Sequence, residues 1–141
     1  MLPTMNSRFP VRVYYEDTDA AGVVYYANYL KFMERARTEC LRELGYEQTQ
    51  LAQEQGLAFV ARSIAVEYLK PARLDDLLEV VSRIDSASRA QIVFNQQVER
   101  AGELLVTSRI QIVCVDPVRG RVSTMPHAIH DKFKALIGPG N

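Results

Sequence analysis

The spacing of apolar positions changes twice along this chain. Phe9 to Tyr15 alternates and is rich in β-branched and aromatic residues, which predicts a strand. From Asn28 onward the period lengthens. Leu30, Met33, Ala36, Cys40, Leu41 and Leu44 recur at steps of three and four, with Lys31, Glu34, Arg35, Glu39, Arg42 and Glu43 between them. That stripe predicts a helix of nearly five turns from Asn28 to Leu44, with Asn28 as its N-cap and Gly45 at its C′ position. Thr49 to Glu54 carries a weaker helical pattern. After Gly56 the texture becomes β-rich, over Leu57–Leu69, Leu77–Ile84, Gln91–Arg100 and Leu104–Val115. A turn at Asp116–Gly120 leads to a short strand over Arg121–Thr124. Met125 and Pro126 then open a last helix reaching Leu136, with Pro126 at N1. Gly138 to Asn141 have neither pattern.

The separators between the β runs, Lys70-Pro71-Ala72-Arg73, Asp85–Ser88 and Ala101-Gly102, are short, so successive strands are expected to pair antiparallel. A five-turn helix with one apolar stripe needs a cover, and a single sheet curled around it supplies one. The predicted class is therefore α+β, a long central helix wrapped by a curved antiparallel sheet of five or six strands, in one domain spanning residues 1–141. Ile110, Ile112, Val113, Cys114 and Val115 put apolar residues on both parities of one strand, which predicts a face or edge buried by a partner.

Composition narrows the function. Seventeen basic residues balance 17 acidic ones among the 141, which argues against a broad footprint on nucleic acid. No stretch approaches the roughly 18 apolar residues of a membrane span, and the opening MLPTMNSRFP lacks the apolar core of a secretory signal. Cys40 and Cys114 lie in apolar-patterned segments, so they read as reduced core thiols of a cytoplasmic protein. His127 and His130 share a helix face, but no third ligand accompanies them, and no metal site is expected. Nucleophile-elbow, P-loop and dinucleotide fingerprints are all missing.

The chemistry concentrates between the first strand and the long helix. Glu16, Asp17 and Asp19 lie within four positions and lead through Ala20-Ala21-Gly22-Val23-Val24-Tyr25-Tyr26 into the helix. The free N–H groups and positive dipole end of a helix favour an anion. A carboxylate and such an N–H within reach of one carbonyl group make a minimal kit for acyl transfer or hydrolysis. A solvated acidic turn capping the helix is the plainer alternative.

Residues Pro10–Asp19, Phe32–Glu39, Val66–Asp76 and Cys114–Pro117 resemble the 4-hydroxybenzoyl-CoA thioesterase family of hotdog-fold enzymes. The similarity runs over residues 8 to 136 and is closer to the branch found beside the Tol-Pal envelope genes of Gram-negative bacteria. The resemblance implies hydrolysis of acyl-CoA thioesters with no cofactor beyond the substrate's own coenzyme A. It also implies a homo-oligomer, a dimer usually paired into a tetramer, with acyl carrier protein as a further possible partner. The catalytic carboxylate, the second aspartate of D-x-D, falls on Asp19, and Asp17 becomes a loop or supporting group. The oxyanion donor, a backbone N–H at the helix entrance, falls on Tyr26. Many members of the Tol-Pal branch carry His at this position, and the hydroxybenzoyl branch carries Tyr. A phenol with an ordinary pKa near 10 is a poor proton acceptor at neutral pH, but a main-chain donor does not depend on its side chain.

Coenzyme A brings phosphates, and the resemblance places a basic residue that meets them on Arg89. Lys70, Arg73, Arg119 and Arg121 lie in other turns. Tyr25, with Tyr26, Tyr29 and Phe32, is expected to pack the core or shape an acyl pocket. Glu34 and Arg37, three residues apart, favour an ion pair along the helix, although Glu34 is also a second candidate carboxylate. Two rival functions share the fold. One is a hotdog dehydratase of 3-hydroxyacyl thioesters, whose chemistry normally uses a His to move protons at carbon. The other is a non-catalytic module that binds acyl thioesters or acyl carrier protein.

Overall fold

A computed structural model describes residues 7–137, so the patternless Gly138–Asn141 tail and the first six residues lie outside it. Strand β1 (Ser7–Arg12) is followed by a 3-10 turn at Tyr15–Asp17 and then by the long helix α1 (Asn28–Glu43). A short helix, α2 (Gln48–Gln50), runs on as a wider π turn over Leu51–Gln55. Strands β2 (Ala58–Tyr68), β3 (Leu77–Ala87), β4 (Gln91–Arg100), β5 (Glu103–Asp116) and β6 (Arg121–Val122) come next, and α3 (His127–Ala135) closes the chain.

The six strands form one antiparallel sheet in the order β1-β3-β4-β5-β2, with β6 added to β5. The predicted class holds, but one predicted pairing does not. Strands β2 and β3 are not neighbours; β2 crosses to pair with β5 and becomes an edge. The linker Leu69–Asp76 is too irregular for a hairpin, and it is committed elsewhere. The N–H groups of Leu69 and Lys70 both reach the Leu105 carbonyl (2.8 and 3.1 Å), and Ala72 and Arg73 meet the loop before α1. The Ala101-Gly102 separator is a true hairpin turn, with both residues at positive φ (49° and 82°). Register shifts at Ala61/Ser63, Ile84/Ser86 and Val98/Glu99 are bulges that bend the sheet around the helix.

Helix α1 buries Tyr29, Phe32, Met33, Ala36, Cys40 and Leu41. The stripe is thus rotated toward its aromatic members relative to the predicted one, which included Leu30 and Leu44. It faces Leu78, Val80 and Ile84 of β3 and Ile92, Phe94 and Val98 of β4, all in the same core. Gln96 sits fully buried among them. Its amide donates to the Met33 carbonyl (3.0 Å) and to Ser82 Oγ (2.9 Å), and its oxygen accepts from Arg37 Nη1 (2.9 Å). The expected Glu34–Arg37 ion pair is absent among the described residues, because the sheet takes the guanidinium instead. Burial lowers the Arg37 pKa against the opposing pull of Glu34.

Both cysteines are free and buried, and burial pushes the Cys40 thiol up to about 11, which leaves it unreactive. Of the apolar residues on both parities of β5, Ile110, Ile112, Val113 and Cys114 are buried within the chain and Val115 is half-buried. The exposed apolar strand is β2, where Val60, Ile64 and Tyr68 are each more than 40 % exposed. No helix among the described residues is long and apolar enough to cross a membrane.

Candidate active site at the amino end of the long helix

The acidic loop is tied together by Asp17. Its Oδ2 accepts from the Tyr14 N–H (2.9 Å), its Oδ1 accepts from the Asn28 amide (3.0 Å), and its carbonyl accepts from the Tyr25 N–H (2.9 Å). Asn28 is therefore not the N-cap that its position suggested. It is the first residue of the helix, Ala27 caps it, and the Asn28 side chain turns back to the loop. One carboxylate thus holds the end of β1, the loop and the helix start in one arrangement.

Asp19 lies two residues further on and is exposed. Its Oδ1 accepts from the Ala21 N–H (2.8 Å) in a tight turn completed by the Gly22 N–H on the Asp19 carbonyl (3.0 Å). Gly22 has φ 80°, which a side chain there would strain. The second oxygen, Oδ2, takes no hydrogen bond among the described residues. Asp19 lines a depression of about 420 Å³ with Tyr15, Thr18, Ala20, Gly22 and Leu74.

Tyr26 stands two residues before the first residue of α1. Its N–H meets no acceptor among the described residues, as is usual for the orphaned donors of a helix start. Its carbonyl is occupied by the Tyr68 hydroxyl (3.1 Å). Tyr26 lines a second depression of about 240 Å³ with Val24, Tyr29, Tyr68, Leu69, Lys70 and Pro71. The Asp19 and Tyr26 depressions are neighbours, not one cleft. Between them in the chain, Val23 bridges Arg73 and the Val24 N–H bonds the Ala72 carbonyl (2.8 Å). Tyr25 is exposed and stacks at a tilt on Tyr26, with ring centres 4.7 Å apart. The structure therefore gathers Asp17, Tyr25 and Tyr26 around the helix start and sets Asp19 in the adjoining hollow.

Arg89 is elsewhere, in the turn between β3 and β4. Its Nε and Nη2 both donate to the Met125 carbonyl (3.1 and 2.9 Å), which clamps the approach to α3 and leaves Nη1 available. The two histidines lie on α3, where His130 Nε2 is 3.3 Å from the Ala87 carbonyl. No cluster of three potential metal ligands occurs among the described residues.

Two features escaped the sequence reading. Tyr68 belongs to the Val66–Asp76 motif but carries no charge or spacing that marks it as touching Tyr26. The second is a cavity of about 320 Å³ between α1 and the β2 edge. Its apolar lining includes Leu41, Phe59, Ile92 and Phe133, and it is rimmed by Glu34, Arg37 and Gln48. Its apolar lining comes from elements remote in sequence, so no local pattern announces it.

Comparison with known proteins agrees with this architecture. The family model described as the thioesterase-like superfamily matches residues 13–133. The acyl-CoA thioester hydrolase YbgC of Shigella flexneri is 48% identical over 128 residues, covering 90% of this chain and 95% of that protein. The acyl-CoA thioesterase YbgC of Haemophilus influenzae is 45% identical over 128 residues, covering 91% and 94%. The crystal structure of a probable thioesterase from Bartonella henselae superposes with a TM-score of 0.82 at 36% identity, covering 86% of this chain and 99% of that one. The chain belongs to the thioesterase-like superfamily, with a hotdog fold and a YbgC-like sequence.

Proposed function

We propose that this chain hydrolyses acyl-CoA thioesters to a carboxylic acid and free coenzyme A at the amino end of α1. The observation that carries the reading is the unoccupied Tyr26 N–H at the start of a 16-residue helix, beside an aspartate with one free carboxylate oxygen. The relatives named as acyl-CoA thioesterases supply the substrate class.

The thioester spans the Asp19 and Tyr26 depressions, with its carbonyl oxygen toward the Tyr26 N–H. The helix dipole and that donor stabilise the negative charge as the carbonyl carbon becomes tetrahedral. Asp19 acts through Oδ2 in one of two ways. As a nucleophile it forms a mixed anhydride, which water cleaves to restore the carboxylate. As a general base it takes a proton from the attacking water. In both cases the bond to sulfur breaks, and coenzyme A leaves as a thiolate whose conjugate pKa is near 8.5. Such a leaving group needs little acid assistance. The acyl part extends toward the cavity between α1 and β2 at Phe59 and Phe133, and Arg89 Nη1 and Arg73 are candidate phosphate contacts. A second copy of the chain on the β2 edge covers that cavity, and pairs of such dimers make the tetramer; the cytoplasm is the compartment that fits.

The test follows free thiol release from short, long and aromatic acyl-CoAs. Asp19→Asn should lower kcat by about 10²–10⁴-fold with KM little changed, the range for removal of an acid–base or nucleophilic group. Unchanged turnover would move the carboxylate role to Glu34 or Asp17. No thiol release by the wild type on any thioester would favour a binding module for acyl thioesters or acyl carrier protein. An unsaturated product without free thiol would favour the dehydratase. A single turnover in oxygen-18 water that leaves label in the Asp19 side chain establishes the nucleophilic role, because a general base never acquires it; trapping the anhydride with hydroxylamine tests the same role when water attacks the acyl carbon.

A further inference from the structure

We propose that Tyr68 is a positioning residue for the oxyanion donor, holding the Tyr26 main chain through its hydroxyl. The inference rests on the proposed role of the Tyr26 N–H and adds the group that aims it. An oxyanion donor works only when it meets the developing charge at about 2.7–3.1 Å. Tyr26 is outside the regular helix, in a turn closed by the Asn28 N–H on the Tyr25 carbonyl (2.8 Å). That bond holds one side of the turn, and its middle peptide, Tyr26–Ala27, needs an anchor of its own.

Two hydrogen bonds bracket the free donor. Ahead of it, the Tyr25 N–H is tied to the Asp17 carbonyl (2.9 Å). Behind it, the Tyr26 carbonyl accepts from the Tyr68 hydroxyl (3.1 Å). The peptide that carries the Tyr26 N–H is held through its own carbonyl, that of Tyr25, by the Asn28 N–H (2.8 Å), and both neighbouring peptides are pinned by the bonds above, while the N–H itself meets no acceptor among the described residues. Without the Tyr68 bond the Tyr26–Ala27 peptide, the middle of that turn, is free to rotate, and the turn that aims the donor loosens with it.

Tyr68 is well mounted for this work. It is the last residue of β2, paired with Val106 of β5, and the next two N–H groups are both fixed on the Leu105 carbonyl (2.8 and 3.1 Å). Its ring meets Tyr26 edge-on at 6.2 Å and 84°, and meets Tyr29 at 5.6 Å. Tyr29 is buried, and its hydroxyl accepts the Ala72 N–H (3.0 Å), so the support continues into the core. Burial and the neighbouring Tyr26 raise the Tyr68 pKa above its ordinary value, so the hydroxyl keeps its proton at neutral pH.

Tyr68→Phe keeps the ring and removes only the hydroxyl. Steady-state thiol release from an acyl-CoA that the wild type turns over should show kcat reduced about tenfold with KM within twofold, a fraction of the 10²–10³ lost when a whole oxyanion donor is removed. The amide resonance of Tyr26 in a nitrogen–proton NMR spectrum should shift in the variant while the core amides do not, and the thermal midpoint should stay near that of the wild type. Unchanged kcat overturns the proposal. So does a rise in KM alone, or a loss of kcat with the Tyr26 resonance unmoved. Should the Phe variant unfold, Tyr68→Trp, with a ring donor of its own, must restore part of kcat, and failure to do so also overturns it. The Asp19→Asn control runs beside these. A wild type that releases no thiol sinks the thioesterase reading and this inference together. Loss in Asp19→Asn with full turnover in Tyr68→Phe sinks this inference alone.

Discussion

Asp17 and Asp19 are the same side chain two positions apart, and the loop uses them differently. Both oxygens of Asp17 are engaged, by the Tyr14 N–H and the Asn28 amide, whereas Asp19 leaves one oxygen open. Asp17→Ala removes the two bonds that join β1, the loop and α1 and leaves a main-chain donor without its acceptor. It should cost about 1–3 kcal/mol of stability, read as a lower urea midpoint at unchanged slope. If Asp17 contacts substrate, KM for acyl-CoA must also rise in Asp17→Asn, which can still accept from Tyr14; an unchanged KM there confines it to the scaffold. The sequence made the D-x-D loop visible because acids at a helix entrance stand out. It could not say which of the two is committed, since that depends on Asn28, whose place in the first helical turn aims its amide backward. Tyr68 was hidden for a similar reason. Its effect lies in one hydroxyl reaching across 42 positions, and nothing local to it differs from a strand tyrosine.

Helix α1 is the element most fully readable from sequence. Its period, length and end all follow from local rules, and its C-terminus shows the reason for Gly45. The Tyr46 N–H returns to the Leu41 carbonyl (3.1 Å) and the Gly45 N–H to the Arg42 carbonyl (2.9 Å), a Schellman closure that needs a left-handed residue at C′. Gly45 supplies it at φ 94°, with open space where a Cβ would stand. Gly45→Ala should therefore destabilise through backbone strain alone, by about 1 kcal/mol, or a few degrees in thermal midpoint for a chain of this size. A neutral result would show that the helix end relaxes into another closure. Strand order is the opposite case. Each β run was visible, but the neighbour of β2 is settled by the linker Leu69–Asp76, whose polar partners lie on β5 and in the loop before α1. Short separators predict hairpins only when the separator has no other attachment.

At the scale of the molecule, that linker is also where pH should act. Arg100 Nη1 meets Asp76 Oδ2 (2.8 Å), Arg100 Nη2 meets Glu103 Oε1 (2.7 Å), and Lys70 Nζ meets Glu103 Oε2 (2.7 Å). Burial pushes the Asp76 carboxyl up, but bonds from Arg100 and the Arg73 N–H outweigh it and hold the pKa below the ordinary value. Lys70 first, and then Arg100, lowers Glu103 likewise. Depressed carboxyl pKa values stabilise the folded state above the unfolded values, near 4. That contribution is lost as pH falls through the lower, folded ones. Urea midpoints should hold between pH 7 and pH 5 as far as this cluster is concerned and fall below about pH 4. Salt should shrink the effect, because the groups are partly exposed. Arg100→Met should flatten the acid limb; equal limbs in both proteins would place the titration elsewhere.

The last step concerns what stands beyond a single copy. Among the described residues strand β2 has one neighbour, β5, and its other side is a free sheet edge, which isolated proteins normally blunt with charge, proline or a cover. Here Val60 and Ile64 are each 43% exposed. The Tyr26 depression and the cavity at Phe59 both border the same strand. A second copy pairing antiparallel along β2 would satisfy the edge with an identical one, in a two-fold arrangement that closes on itself. It would also cover the Tyr26 depression and the cavity at Phe59, so assembly and the proposed activity should be linked. Sedimentation at micromolar concentration should give a dimer or a multiple of it. Ile64→Lys, which sets a desolvated charge into the new contact, should give monomers and lose turnover together. A wild type that sediments as a monomer while fully active would refute the arrangement. So would an Ile64→Lys protein that dissociates yet keeps its kcat, since the two hollows would then need no cover.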